Sequence, residues 1–392
     1  MFNNMTVGLA HIKSLFISHF DKTNQIDLSY GNSSTIFILL ILLMLILLSI
    51  RRRTEKSSYC RNKDVFSLET TTMIRGIAII FLLIGHLSEK CIGSIGWFDD
   101  AGRWAVVMFL FVSGIVLSKK YGIEHLGKKF FLGRIRRLAV PFWLTLVLFV
   151  LLDYLLVGYY YSYKRLILAF GGVMFPWPPN GPAWFITYII VMYIIYFLTS
   201  LFRCSFPCKS ILLFIYSYSV MFLILYTKLN NSFALWVIYT AVFPAAVTIG
   251  LFRDKIFVFL KRLYNTSMTV YYIILIGLFI VYYQGTSIDW LSQPSVMNKA
   301  VHTLQPLSLT IFLTMLAYLF DSLNYMIPAL MTLGEYSFEI YLLHFPFMEH
   351  YDFILFRKPL VIMFFTYFAV IFLMSYLLRK VSKTINKRLF VL

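Results

Sequence analysis

A chain of 392 residues that is 60% hydrophobic, 19% aromatic and only 13% charged, with mean hydropathy +0.79, has too little polar surface to clothe a soluble fold. Its formal charge of +18 would suit a polyanion, but the basic residues sit in short stretches beside apolar runs. Membrane topology and anionic headgroups account for them, nucleic acid is excluded as a partner, and an all-α integral membrane protein remains, a bundle of about eleven transmembrane helices with membrane lipid around it.

The spans are expected at roughly 34–50, 74–90, 103–118, 138–157, 183–201, 210–227, 233–252, 264–283, 302–321, 330–350 and 359–378. Ahead of the first lies a near-neutral tail in which Lys13 and Lys22 offset Asp21 and Asp27. The first apolar run is expected to remain as a span rather than a cleaved leader, because no basic segment precedes it and it ends on Arg51, Arg52 and Arg53. With that arginine cluster in the cytoplasm and the spans alternating, 25 of the 35 Lys and Arg residues fall on the cytoplasmic side. The positive-inside rule then predicts a multi-pass protein of the cell (inner) membrane, with an external N-terminus and a cytoplasmic C-terminus. Residues 1–64 read as an external tail, an extra span and a basic cytoplasmic linker. Residues 65–392 read as the main membrane domain with a basic C-terminal tail.

The second span carries the strongest polar signal. Arg75 and His86 are eleven positions apart, which at about 100° per residue returns to within about 20° of the same face, with a rise of about 16 Å. Arg75 is therefore expected at the cytoplasmic surface and His86 at depth on the same stripe. Glu89, three residues on, is placed to orient the imidazole. Gly76 and Gly85 are expected to leave room for a ligand against the backbone. The alternative is an interfacial Arg75 with a packing His86, but an ionisable group at depth in a membrane is costly and usually lines a functional cavity.

In the third span, Ser113-Gly114 suits close helix packing. Before the fourth, Arg134 and Arg137 share a face by i, i+3 spacing, and two guanidinium forks near Arg75 would suit a phosphorylated cytosolic ligand. Positive-inside anchoring explains them equally well, and Arg136 is expected to point elsewhere and serve topology alone. Residues 175–185, with Pro176, Pro178, Pro179, Pro182 and Trp184, read as an interfacial aromatic belt or a sugar-stacking surface. In the tenth span Glu335 and Glu339 occupy the first turns, and His344 follows Glu339 by about one and a quarter turns. Cys60, Cys204 and Cys208 fall on the reducing side and Cys91 outside, with neither a metal-ligand spacing nor a metal site expected.

These segments together resemble the acyltransferase 3 family of membrane-bound acyltransferases. Arg75 and His86 match its Arg, ten residues and His. Phe109 to Gly114 look like its aromatic Ser-Gly motif, and Arg134 to Pro141 like its Arg-x-x-Arg run before a proline. Ala183-Trp184-Phe185 and Ser337 to His344 are similar to two later signatures, in the right order. The resemblance covers about residues 65–378, so the extra first span departs from a ten-span core, and no esterase-like soluble extension is expected. It implies transfer of an acyl group, usually acetyl, from cytosolic acyl-CoA to a hydroxyl of a glycan acceptor outside the membrane. His86 would be catalytic, with Glu89 supporting it. Arg75, Arg134 and Arg137 would hold the CoA phosphates, with Ser113, Trp184, Glu339 and His344 as secondary candidates. Acetyl-CoA would be a co-substrate, with no cofactor bound. His86 would serve either as a general base or as a transiently acylated nucleophile. A secondary transporter or polysaccharide flippase without transfer chemistry is the alternative. The sequence leaves the acceptor and the oligomeric state open.

Overall fold

Chain surrounded by lipid must bond its own backbone groups, and its apolar runs do so as helices. The computed structural model describes residues 33–52, 66–89, 98, 101–123, 126–173, 180–226, 234–285, 296–349, 351, 354–355 and 359–389. In chain order the first helices are α1 (Ser33–Leu48), α2 (Leu68–Ser88), α3 (Ala101–Tyr121) and α4 (Lys128–Arg134). A π-helical turn, Ile135–Ala139, leads into α5 (Val140–Leu152), and a second, Asp153–Val157, ends it. There follow α6 (Tyr163–Phe170), α7 (Trp184–Ser200), α8 (Phe206–Leu225), α9 (Val242–Leu251) and α10 (Arg253–Thr266). The last are α11 (Met268–Gly285), α12 (Val296–Ser322), α13 (Pro328–Glu349) and α14 (Leu360–Leu389). A two-residue antiparallel pairing joins Arg51–Arg52 to Tyr325–Met326, with Arg51 opposite Met326. The tail with His11 and His19, together with Cys60, Cys91, His125, His350 and residues 175–179, lies outside the described residues.

Helix coincides with each of the eleven expected segments, but the number of crossings does not follow from that. Among the described residues six helices are long and apolar enough to cross a membrane. Trp236–Leu251 and Arg253–Thr266, bent by 85°, make a seventh if they are one broken span. The shortfall has physical causes. At about 1.5 Å per residue α1 is about 24 Å long, short of a core of about 30 Å, and Glu335, Glu339 and His344 dilute the apolar character of α13. The stretch 253–262, expected as a loop, is helical: α10 sets Lys255, Lys261 and Arg262 on its exposed side, away from the buried Leu260.

The second expected span starts earlier than its apolar run. Its helix begins at Leu68, six residues early, because Ser67 caps it by accepting from the Thr70 amide at 3.1 Å. Asp321 at the end of α12 then accepts from both Ser67 (2.8 Å) and Thr70 (2.7 Å) side chains. Arg75 thus stands about two turns inside α2, and His86 lies in its last turn rather than at mid-span.

Small residues let the central helices touch. A Cβ at Gly76 would collide with the Leu330 carbonyl, one at Gly334 with the Thr72 carbonyl, and one at Gly85 with the Gly102 backbone. Gly114 lies against Ala246, whose Cβ would be 2.7 Å from an added methyl, in keeping with the packing expected there. The room expected beside Gly76 and Gly85 for a ligand is therefore filled by α13 and α3. Around this core, Leu40, Ile273, Ile276 and Leu373 are more than half exposed, a belt that fits lipid contact.

Candidate functional site

Close approach of α2 and α13 at Gly76 and Gly334, with His86 beside His344 farther along, makes the two helices parallel and sets matching polar residues side by side. The His86 and His344 rings are 5.3 Å apart between centroids, and Phe345 meets His86 edge-on at 5.0 Å. His86 Nδ1 is 3.3 Å from Glu89 Oε2, as its spacing predicts, with the His86 side chain 17% exposed and that of Glu89 60%. His344 is fully buried. Its Nδ1 lies 2.9 Å from the Tyr341 carbonyl and 3.2 Å from that of Ile340. Carbonyls only accept, so Nδ1 carries the proton and Nε2 of the neutral ring is a bare acceptor, without a partner among the described residues. The sequence placed His344 in the tenth span without relating it to His86. Only the parallel packing of distant helices joins them.

The arginines converge as expected. Arg75, Arg134 and Arg137 all line a cavity of about 150 Å³ whose other walls are mainly apolar, among them Phe109, Val112 and Ile189. Arg75 donates to the Thr72 hydroxyl at 3.0 Å. The Arg134 guanidinium sits 5.6 Å from the Tyr193 ring centroid and 6.0 Å from those of Tyr121 and Phe130, an aromatic cage that holds it in place. Ser113 lines the same cavity, with its hydroxyl 3.3 Å from that of Tyr193. Tyr193 is a lining residue that motif reasoning passed over, since a tyrosine in an apolar run carries no spacing signal, and Ser337, which opens the last signature, lines the cavity too.

Three expectations need correcting. Neither His86 nor His344 lines this cavity, and the stripe from Arg75 to His86 is not an open track: Leu82, almost in line with both, is buried at 4% exposure against the α13 side. Apolar side chains on a tightly packed helix pair fill such a stripe. Tyr341 closes the cavity toward His344, its ring 6.3 Å from that imidazole and its hydroxyl donating to the Pro182 carbonyl at 2.7 Å. Arg136 does not point away from the site. The π-helical turn shifts it so that it faces a second hollow, of about 470 Å³, which Arg75, Arg137 and Glu339 also line. Trp184 lines neither hollow and stacks on Tyr239 at 6.2 Å, a packing role. Cys204 and Cys208 are free thiols.

Comparison with known proteins agrees with this geometry at the level of the family. A family profile described as an acyltransferase domain matches residues 72–380, from the first turns of α2 into α14. No curated protein and no solved structure matches the chain. The profile spans well over half of the sequence, includes the arginine-lined cavity and the histidine pair, and leaves out α1. The chain is a multi-pass membrane acyltransferase and belongs to the acyltransferase 3 family.

Proposed function

We propose that this protein moves an acyl group, acetyl in the first instance, from cytosolic acyl-CoA to a hydroxyl of a cell-surface or exported glycan. The observation that carries the proposal is the convergence of Arg75, Arg134 and Arg137 on one cavity whose other walls are mainly apolar. A ligand with anionic phosphates on an apolar thread matches that combination, and guanidinium forks are the groups best suited to phosphate oxygens.

In this reading the arginines fix the phosphates and the pantetheine arm enters the apolar part of the cavity. Tyr341 and Leu82 give way as the thioester reaches the histidines. His86 Nε2 takes the proton of the acceptor hydroxyl while its oxygen attacks the thioester carbonyl. The carbon–sulfur bond breaks, the proton passes to the departing thiolate, and an ester and free CoA result. Glu89 holds the other ring nitrogen. Residues 65–392 form the transferring unit, with residues 1–64 appended to it, in the inner membrane.

The test is glycan analysis of cells with and without the gene. A gain of a base-labile ester on surface or exported glycan is expected. An unchanged glycan whose export nevertheless depends on the protein would replace transfer with transport.

A further inference from the structure

The larger hollow has no part in the transfer step itself. At about 470 Å³ it lies in the range of about 300–1,000 Å³ typical of small-molecule sites, whereas the neighbouring cavity of about 150 Å³ is too small for a whole nucleotide-bearing donor. The two hollows share Arg75 and Arg137, so they adjoin at those guanidinium groups.

Five cations line the larger one: the shared pair together with Arg136, Arg379 and Lys383. They outnumber the carboxylates Glu69, Glu335 and Glu339. Glu335 is engaged: Arg379 lies 3.8 Å from its carboxylate and donates to its backbone carbonyl at 2.7 Å. Polar atoms are also left over. Ser382, only 4% exposed, has a hydroxyl without a hydrogen-bond partner among the described residues. Asn386 donates to the Arg136 carbonyl at 2.9 Å, tying α14 to the π-helical turn, while its Oδ1 stays unused. Arg75 Nε likewise has no partner among the described residues. A hollow of net positive charge with the Arg75 Nε and Ser382 hydroxyl donors unused fits a compact, multiply anionic polar ligand.

We infer that this hollow holds the 3′-phosphorylated ADP end of the acyl-CoA donor. Arg75 and Arg137, at the junction, take the diphosphate, and the pantetheine arm continues into the smaller cavity. Arg136, Arg379 and Lys383 take the 3′-phosphate. Arg379 and Lys383 are spaced i, i+4 and share one face of α14, and Lys383 is solvent-exposed, as suits the donor's outermost group. The inference rests on the donor proposed above and adds a place for its nucleotide, on a helix that the arginine motifs do not include.

The experiment is equilibrium binding of acetyl-CoA and 3′-dephospho-acetyl-CoA to the full-length protein in phosphatidylcholine nanodiscs. The wild type is expected to prefer acetyl-CoA by at least about tenfold, the worth of one charge-assisted hydrogen bond. Arg136→Gln, Arg379→Gln and Lys383→Ala should each narrow that preference to below about threefold by weakening acetyl-CoA alone. Arg379 also packs 4.6 Å over Tyr336, so its replacement could unfold α14, and the exposed Lys383 then decides. A wild type that binds both donors equally, or variants that keep the preference, would overturn the nucleotide site and leave the proposed reaction standing. A wild type that binds neither would overturn both. Variants that change only the binding of added phosphatidylglycerol would assign the hollow to lipid headgroups instead, against the inference.

Discussion

With Nδ1 of His86 turned to the Glu89 carboxylate, Nε2 is the ring atom left to take a proton. Replacement by alanine is expected to lower turnover by about 10²–10⁴-fold, the usual worth of a general base, while acetyl-CoA still binds. Labelled acetyl-CoA and membrane vesicles, scored on ester formed, provide the measurement. Retention of more than about a tenth of wild-type turnover would move the chemistry to His344, whose bare Nε2 is the next available base. The arginines predict a different kinetic pattern. Arg75→Ala, Arg134→Ala or Arg137→Ala should raise the apparent KM for acetyl-CoA by about ten- to a hundredfold, one charged hydrogen bond being worth about 1.5–3 kcal/mol. Lysine should rescue only in part, since an ammonium cannot reproduce the fork. Unchanged donor affinity in all three would return them to topological anchoring.

Helix α2 is held by backbone contact as well as by buried side chains such as Ile74 and Ile79. Gly76 and Gly85 face the Leu330 carbonyl and the Gly102 backbone, neither of which can swing aside as a side-chain tip would. Gly76→Val and Gly85→Val are expected to destabilise the bundle by about 1–3 kcal/mol or more through overpacking, read as a fall in the thermal transition of detergent-solubilised protein. Gly277 on α11 has nothing among the described residues within 4 Å of an added Cβ, so Gly277→Ala should be neutral or slightly stabilising, because alanine is the better helix former. A gain at all three sites would show that helix propensity and not contact sets the response.

The segments rich in Lys and Arg gather at one pole of the molecule. Arg51–Arg52 pairs with the stretch before α13, Lys119 reaches the Phe66 carbonyl at 2.9 Å, Lys209 that of Ile123 at 3.0 Å, and Asn386 that of Arg136. Opposite lies a polar knot in which Asp153 accepts from Tyr161 and, at 2.5 Å, from Tyr351. This segregation and the parallel run of α2 and α13 agree with alternation of the spans, and the positive-inside rule predicts which pole faces the cytoplasm. A reporter fused after Leu392 should read cytoplasmic and one at the N-terminus external. A cytoplasmic N-terminus would mean that α1 is not a full span.

Hydropathy and charge alone determined that this chain is a helical membrane protein, because a bilayer forces each apolar run to satisfy its own backbone. They also located the helices, though not all of their ends: α14 runs eleven residues past its expected end, and the start of α2 depends on a cap bonded to Asp321, more than 250 positions away. Spacing brought Glu89 to His86 and Arg134 near Arg137, since those pairs are local. It could not disclose that His344 lies against His86, that Leu82 and Tyr341 stand between the cavity and the imidazoles, or that a π-helical turn brings Arg136 to face Arg379 across a second hollow. Each of those depends on how helices far apart in the chain pack together, and backbone contacts at Gly76, Gly85 and Gly334 decide that packing.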